Sequence, residues 1–402
     1  MANRSSFKVT QCIQKITVPL VCSSVVTLFI YLNRIQPSYY IDEIFHVPQT
    51  LQYCAGNFTQ WDPKITTLPG LYLIATVILS PLKLYVVSVN AILLMLLLHL
   101  HKKFIMAAFV GFLSVIIRQT NIIWVAFVTM ERIFDLLGHK TSKSISHEHN
   151  YSAIHLRLLW KKITEEISHG WTSFVKFIIH LCVQLFPYVI VCLTFVAFIV
   201  WNKGIVVGDK TAHIPTIHIS QLLYFSVFLF CFSWPYMIVN WKDYIKFVRK
   251  HWIFTGSILG LLTVIVHFNT LVHPYVLADN RHYVFYFWNK FMGKYRLFKY
   301  LLVPLYSFTL YTMLHGIKHL RVVTQINYIF MVSAVLIPQL LIEPRYFIMP
   351  YILYRFLIVK PKVWQIIAES MTTLIVNFLQ FYIFANKVFY WSDQLHPQRI
   401  SW

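Results

Sequence analysis

Asp42 and Glu43 are the residues with the clearest capacity for chemistry in this chain. They open a polar stretch, 38–70, in an otherwise apolar sequence, and with Asp62 they account for three of its fourteen carboxylates. Adjacent acids repel, and Arg34 is the only cation near them in sequence, so mutual neutralisation explains the pair poorly. Read as helix, Asp42, His46, Gln49 and Tyr53 share one face while Ile44, Val47 and Leu51 share another. Pro48 strains that reading, because a proline inside a helix removes a hydrogen bond and crowds the preceding turn. The pattern favours a break near residue 47, with Pro48 opening a second short helix that ends at Gly56. The plain alternative for Asp42 is a helix N-cap.

Other polar groups fall where the charge pattern puts the same side of a membrane. Asp209, Asp279 and Glu343 are acids; Arg118, Asn121, His273, Arg281, His282, Lys290 and Arg345 are cations and donors. Such groups are costly near lipid unless they are used. Pairing of Asp279 with Arg281, and of Glu343 with Arg345, is the plain alternative to use. A lone base beside a basic cradle is what transfer of a sugar from a lipid phosphate to a hydroxyl requires. The leaving group is already a phosphate anion, so one carboxylate takes the acceptor proton and cations hold the phosphate. A glycosidase needs two carboxylates on opposite faces of the sugar, which adjacent acids do not supply. Tyr39, Tyr40, Trp61, Tyr283, Tyr286 and Trp288 suit sugar stacking, although interfacial aromatic belts explain many such residues.

The elements that must position these groups follow from composition. Hydrophobic residues make up 58% of the chain and charged residues 12%, against about 25% charged in a soluble domain. A spanning helix needs roughly 20 apolar residues. Candidate spans are 16–33, 69–98, 104–117, 121–137, 179–201, 220–240, 253–272, 298–315, 324–342, 345–359 and 363–388. The expectation is an all-α multi-pass membrane protein forming one domain over 1–402, with about 11 and up to 13 spans, the run 69–98 being one tilted helix or hiding a turn at Pro81-Leu82-Lys83.

Lysine and arginine cluster at 1–15, 99–103, 138–178, 242–250, 316–321 and 360–362. Calling those segments cytoplasmic leaves 34–68, the turn at Arg118, 202–219, 273–297, 342–345 and the C-terminal tail on the other side. One side then reads as basic and plain, the other as polar and chemical. The net charge of +21 is therefore assigned to anionic lipid, and no nucleic-acid partner is expected. The loop 281–296, with Arg281, Lys290, Lys294 and Arg296, breaks the charge rule and is read as a functional need for positive charge. His147 and His149 in the 138–178 loop are read as solvated. No glycine-rich phosphate loop, zinc spacing or internal repeat is present. The cysteines at 12, 22, 54, 182, 192 and 231 lack a pairing pattern, so no structural disulfide is expected.

Five blocks carry a family resemblance: Tyr-Ile-Asp-Glu-Ile-Phe-His-Val-Pro-Gln (40–49), Gln-Trp-Asp-Pro-Lys-Ile-Thr-Thr-Leu-Pro-Gly-Leu-Tyr (60–72), Arg-Gln-Thr-Asn-Ile-Ile-Trp-Val (118–125), His-Pro-Tyr-Val-Leu-Ala-Asp-Asn-Arg-His-Tyr-Val-Phe-Tyr (273–286) and Glu-Pro-Arg-Tyr-Phe-Ile-Met-Pro (343–350). In order and over nearly the whole chain, they resemble the endoplasmic-reticulum α-1,2-glucosyltransferases that complete the dolichol-linked oligosaccharide. The resemblance implies a GT-C glycosyltransferase fold, dolichyl-phosphoglucose as donor and Glc2Man9GlcNAc2-diphosphodolichol as acceptor. It also implies inversion at the transferred sugar and a site in the first lumenal loop, 34–68. Asp42 matches the family base, with Glu43 the alternate. The charge inventory adds Arg118, Arg281, His282 and Arg345 for the donor phosphate, and His46, Gln49, Trp61, Asp62 and Asn121 for acceptor or sugar. No metal or cofactor is expected, since the cations present can neutralise one lipid phosphate. A transporter or channel-regulating protein is the alternative, but the paired discontinuous repeats of a transporter are missing.

Overall fold

The computed structural model describes residues 19, 23–78, 84–138, 160–161, 164–208, 215–392 and 396–401. Asp209, His147, His149, Cys12, Cys22 and the turn at 81–83 lie outside them. Every expected apolar segment contains helix: α1 (Ser23–Ile35), α3 (Gly70–Ile78) and α4 (Leu84–Leu100), α5 (Phe104–Ile117), α6 (Ile122–Gly138), α7 (Trp171–Asn202), α8 (Ser220–Met237), α10 (Trp252–Asn269), α14 (Val303–Gly316), α15 (Val322–Leu336), α16 (Arg345–Leu357) and α17 (Val363–Asn386). Between them lie α2 (Glu43–Cys54), α9 (Trp241–Lys250), which extends α8, and the short helices α11 (Pro274–Ala278), α12 (Tyr283–Phe287) and α13 (Phe298–Leu301).

By length and composition, α7, Ser220–Lys250, α10 and α17 can cross a membrane on their own. Of the shorter apolar helices, α4, α5 and α15 pack into the core, while α1 is largely exposed. Leu193, Val200 and Trp201 of α7, Phe268 of α10 and Leu374 and Phe378 of α17 are exposed, an apolar surface suited to lipid. The chain is an all-α multi-pass membrane protein. Its core joins α4, α5, α6, α8, α14, α15 and α16 around fully buried Met95, Val125, Leu229, Tyr328 and Tyr354. Ala107, Ala108 and Ser114, all buried, keep the face of α5 low enough for close helix approach.

Three expectations change. Pro48 does not open a second helix; α2 runs through it from Glu43 to Cys54, and the Thr50 hydroxyl donates to the His46 carbonyl at 2.8 Å inside the same turn. Gly56, at φ +83°, ends the segment as expected. The segment assigned to the 138–178 loop is helical from Trp171 on, where α7 begins. The plain basic end is not plain: Arg321 bonds Asp135 at 2.8 Å and Glu131 at 3.1 Å, and Arg355 bonds Glu369 at 2.8 Å. Among the described residues Cys54, Cys182, Cys192 and Cys231 are free thiols.

Candidate active site

The first polar loop is a built structure rather than a tether. The polar face of α2 turns inward, with Gln49 and Tyr53 buried, while Ile44 and Leu51 on the opposite face are exposed. Gln49 holds the loop's two halves together: its amide donates to Gln60 O at 2.8 Å and its carbonyl accepts from Asp62 N–H at 2.9 Å. Tyr53, Trp61 and Tyr72 pack edge to face beside it, with Trp61 and Tyr72 centroids 5.5 Å apart. The Trp61 ring N–H donates to Ile65 O at 3.2 Å, and Asp62 Oδ1 accepts from Lys64 N–H at 2.9 Å.

Neighbouring segments lock that unit in place. Gln119 Nε2 donates to Thr66 O at 2.7 Å. Gly208, at φ +75°, lies so close to the loop that a Cβ there would stand 2.5 Å from both Pro63 O and Ile65 O. Gly70 abuts the end of α5 in the same way, since a Cβ there would stand 2.8 Å from the Ile116 backbone, which brings the loop's far end beside Arg118.

Asp42 occupies the N-cap position of α2 but makes no capping bond with its side chain. Its carboxylate instead accepts from Arg345 Nη1 at 2.6 Å, across 303 residues of sequence. Glu343 grips the same guanidinium, accepting from Nε and, at 2.9 Å, from Nη2. The three side chains differ in exposure: Glu343 is 11% exposed, Arg345 27% and Asp42 47%. Asp42 is thus the open member of the trio. Arg118 lies over the Tyr346 ring, 5.5 Å from its centroid, next to Arg345 in sequence. Glu43 turns the other way, and its Oε2 accepts the Tyr40 N–H at 3.2 Å.

His46 bonds the Tyr72 hydroxyl through Nδ1 and stacks on its ring at 5.8 Å. Burial lowers the His46 pKa, with Asp42 pulling it up and Arg345 pushing it further down, so the ring is neutral near pH 7. The 273–297 segment adds a second cluster. Asp279 accepts from Arg281 Nε at 2.9 Å and Nη2 at 2.7 Å, and its Oδ2 lies 3.4 Å from His282 Nε2. Burial pushes the Asp279 carboxyl up, but the bonds from His282 and Arg281 outweigh it and hold it well below the usual range. Burial also lowers Arg281, yet Asp279 outweighs that and raises its pKa, with Tyr40 and Asp42 adding to the effect. Asp42 and Arg281 therefore share one electrostatic field.

The structure brings Asp42, Arg118, Arg345, Arg281 and His282 to this end of the molecule, with both pairings of Asp279 with Arg281 and Glu343 with Arg345 formed. Of the other 281–296 cations, Lys290, Lys294 and Arg296 are exposed. Asn121 belongs to the packing: it is buried, and its amide donates to Ser88 Oγ and Ser114 O, both at 2.8 Å. Gln49 is likewise committed to bracing. Tyr72, Tyr346 and Arg399 complete the surroundings, although no sequence pattern marks them as site residues. The first two fall inside the family blocks; Arg399 stands alone in the tail and gives no local signal.

A family model described as the DIE2/ALG10 family matches residues 36–88 and 84–356. A Homo sapiens protein named Dol-P-Glc:Glc(2)Man(9)GlcNAc(2)-PP-Dol alpha-1,2-glucosyltransferase is 30% identical over 456 residues, covering 93% of this chain and 95% of its own length. Proteins of the same name from Drosophila melanogaster and Arabidopsis thaliana are 32% and 28% identical, covering 93% and 94% of this chain. No solved structure matches.

Proposed function

The chain belongs to the DIE2/ALG10 family, and from that premise we propose that it transfers glucose from dolichyl-phosphoglucose to Glc2Man9GlcNAc2-diphosphodolichol in α-1,2 linkage. The reaction is a single inverting displacement on the lumenal face of the endoplasmic-reticulum membrane. Asp42 takes the proton from the acceptor 2-hydroxyl as that oxygen bonds to the glucose anomeric carbon. The bond from that carbon to the phosphate breaks, and its electron pair leaves with dolichyl phosphate. Arg345, Arg118, Arg281 and His282 face the departing anion, and charge-assisted bonds to phosphate are the strong ones. His46, Trp61 and Asp62 are assigned to contact with the acceptor or the transferred sugar.

One observation carries the base assignment: Asp42 is nearly half exposed while bonded to the guanidinium best placed to meet a phosphate. A phosphate seated on Arg345 competes with Asp42 for that cation and so releases the carboxylate to accept a proton. The test is transfer by purified enzyme from synthetic donor to synthetic acceptor, with and without a chelator. Transfer that survives chelation and is lost in Asp42→Asn supports the reading. Normal turnover by Asp42→Asn removes Asp42 as the base.

A further inference from the structure

The tail after α17 folds back as a two-stranded antiparallel hairpin, β1 (Val388–Phe389) against β2 (Gln398–Arg399), with Val388 opposite Arg399. It begins beyond residue 356, where the family match stops. Arg399 is only 7% exposed, yet among the described residues no ion pair is formed by it. Its guanidinium donates to Ile35 O at 2.9 Å, Phe384 O at 2.9 Å, Ala385 O at 2.8 Å and Gln36 Oε1 at 3.0 Å. Those carbonyls are the free C-terminal ends of α1 and α17. One buried cation thus caps two helices where their last carbonyls and dipoles favour positive charge.

The same residue reaches the site through its backbone. Arg399 N–H donates to the Tyr40 hydroxyl at 3.2 Å, and that hydroxyl donates to Arg399 O. Between Tyr40 and Asp42 stands Ile41 at φ +49°, a left-handed conformation that a β-branched residue adopts only under constraint. Tyr40 is held from both sides, by Arg399 at its hydroxyl and by Glu43 at its N–H. Further along, Ser401 N–H donates to Arg281 O at 2.7 Å, the Trp391 ring N–H donates to Asn280 at 3.0 Å, and the Arg281 guanidinium lies 4.7 Å from the Trp391 centroid. The tail therefore touches both halves of the site.

We propose that the C-terminal tail is a strap that sets the direction of Asp42, with Arg399 as its positioning residue acting through Tyr40 and the constrained turn at Ile41. The proposal rests on Asp42 being the base. Lysine keeps the charge at 399 but cannot span four acceptors, and phenylalanine at 40 keeps the ring but loses both hydroxyl bonds.

The test measures kcat and KM for Arg399→Lys, Tyr40→Phe, the double variant and Asp42→Asn, on full-length monodisperse enzyme in detergent. Arg399→Lys and Tyr40→Phe are each expected to lower kcat about tenfold with KM within about twofold, since misplacement by about an ångström costs rate rather than binding. The double variant is expected to lose no more than the worse single one, because both cut the same linkage. Unchanged kcat in Tyr40→Phe, losses confined to KM, or fully multiplicative losses overturn the strap; Tyr40→Phe decides if Arg399→Lys does not fold. Normal turnover by Asp42→Asn instead overturns the base, and the strap's role with it. An inactive Asp42→Asn beside an unchanged Tyr40→Phe overturns the strap alone.

Discussion

Arg345 and Arg355 stand at opposite ends of one helix, α16, about 15 Å apart at the helical rise, and both meet carboxylates. Arg355 is closed. Its Nε contacts both Glu369 oxygens at 2.8 Å, and Tyr236 and Tyr351 donate to the same carboxylate at 2.7 and 3.0 Å, leaving Glu369 12% exposed. Every lone pair that burial would penalise is occupied, so the pair holds helices together and has nothing free to react. Arg345 is open. It directly bonds two carboxylates, one buried and one nearly half exposed. Two acids on one arginine do not by themselves mark a site, since Arg321 also holds two. What distinguishes the Arg345 end is the convergence there of Arg118 on Tyr346, His46 on Tyr72 and the Asp279–Arg281–His282 cluster.

The contrast is sharpened most by removing the exposed acid. Asp42→Asn should lower transfer by about 10²–10⁴, the usual worth of a positioned base, while leaving the detergent unfolding midpoint near wild type; the rate assay and a thermal scan check both. Arg355→Gln should do the reverse. It leaves Glu369 buried without its cation, at about 3–5 kcal/mol of stability, so the yield of folded protein falls while kcat per folded molecule stays within a few-fold. If Arg355→Gln instead folds well and loses transfer, the two arginines are not different in kind.

Arg345→Lys tests the cradle. It keeps the charge but loses the forked contact to Glu343 and Asp42, and kcat should fall about 10–100-fold in the same assay. A smaller effect is expected from pH. The His46 pKa is depressed by burial, so its contribution to stability is complete above its ordinary value of about 6.5 and is lost as pH falls through the lowered folded value. The unfolding midpoint should drop as pH falls below about 6.5 in the wild type, and His46→Gln should make that drop smaller. Asp279 does not enter this window, because its depressed carboxyl gives up its contribution only below the ordinary carboxylate range. Glu43→Gln should matter least: glutamine still offers an oxygen to Tyr40 N–H, so transfer should stay within about threefold and stability within about 0.5 kcal/mol. A dead Glu43→Gln beside an active Asp42→Asn would exchange the two roles.

Apolar run length and hydrophobic period determined where the apolar helices lie and the inward polar face of α2, because both are local and repeat within a few residues. The same local pattern places Asp42 and Glu43 at the mouth of the first loop but assigns neither of them a partner. Pro48 misleads, since a local penalty predicts a break that packing of the surrounding loop overrides. Asn121 and Gln49 mislead too: a polar residue in a motif looks the same whether it meets a sugar or a neighbouring carbonyl. Only the tertiary structure decided that Asp42 meets Arg345, that Glu43 serves the Tyr40 turn, and that Arg399 caps two helices, one of them far from it in sequence. Those choices depend on which helix ends are brought together when the bundle packs, and contacts spanning some 300 residues leave no periodic trace along the chain.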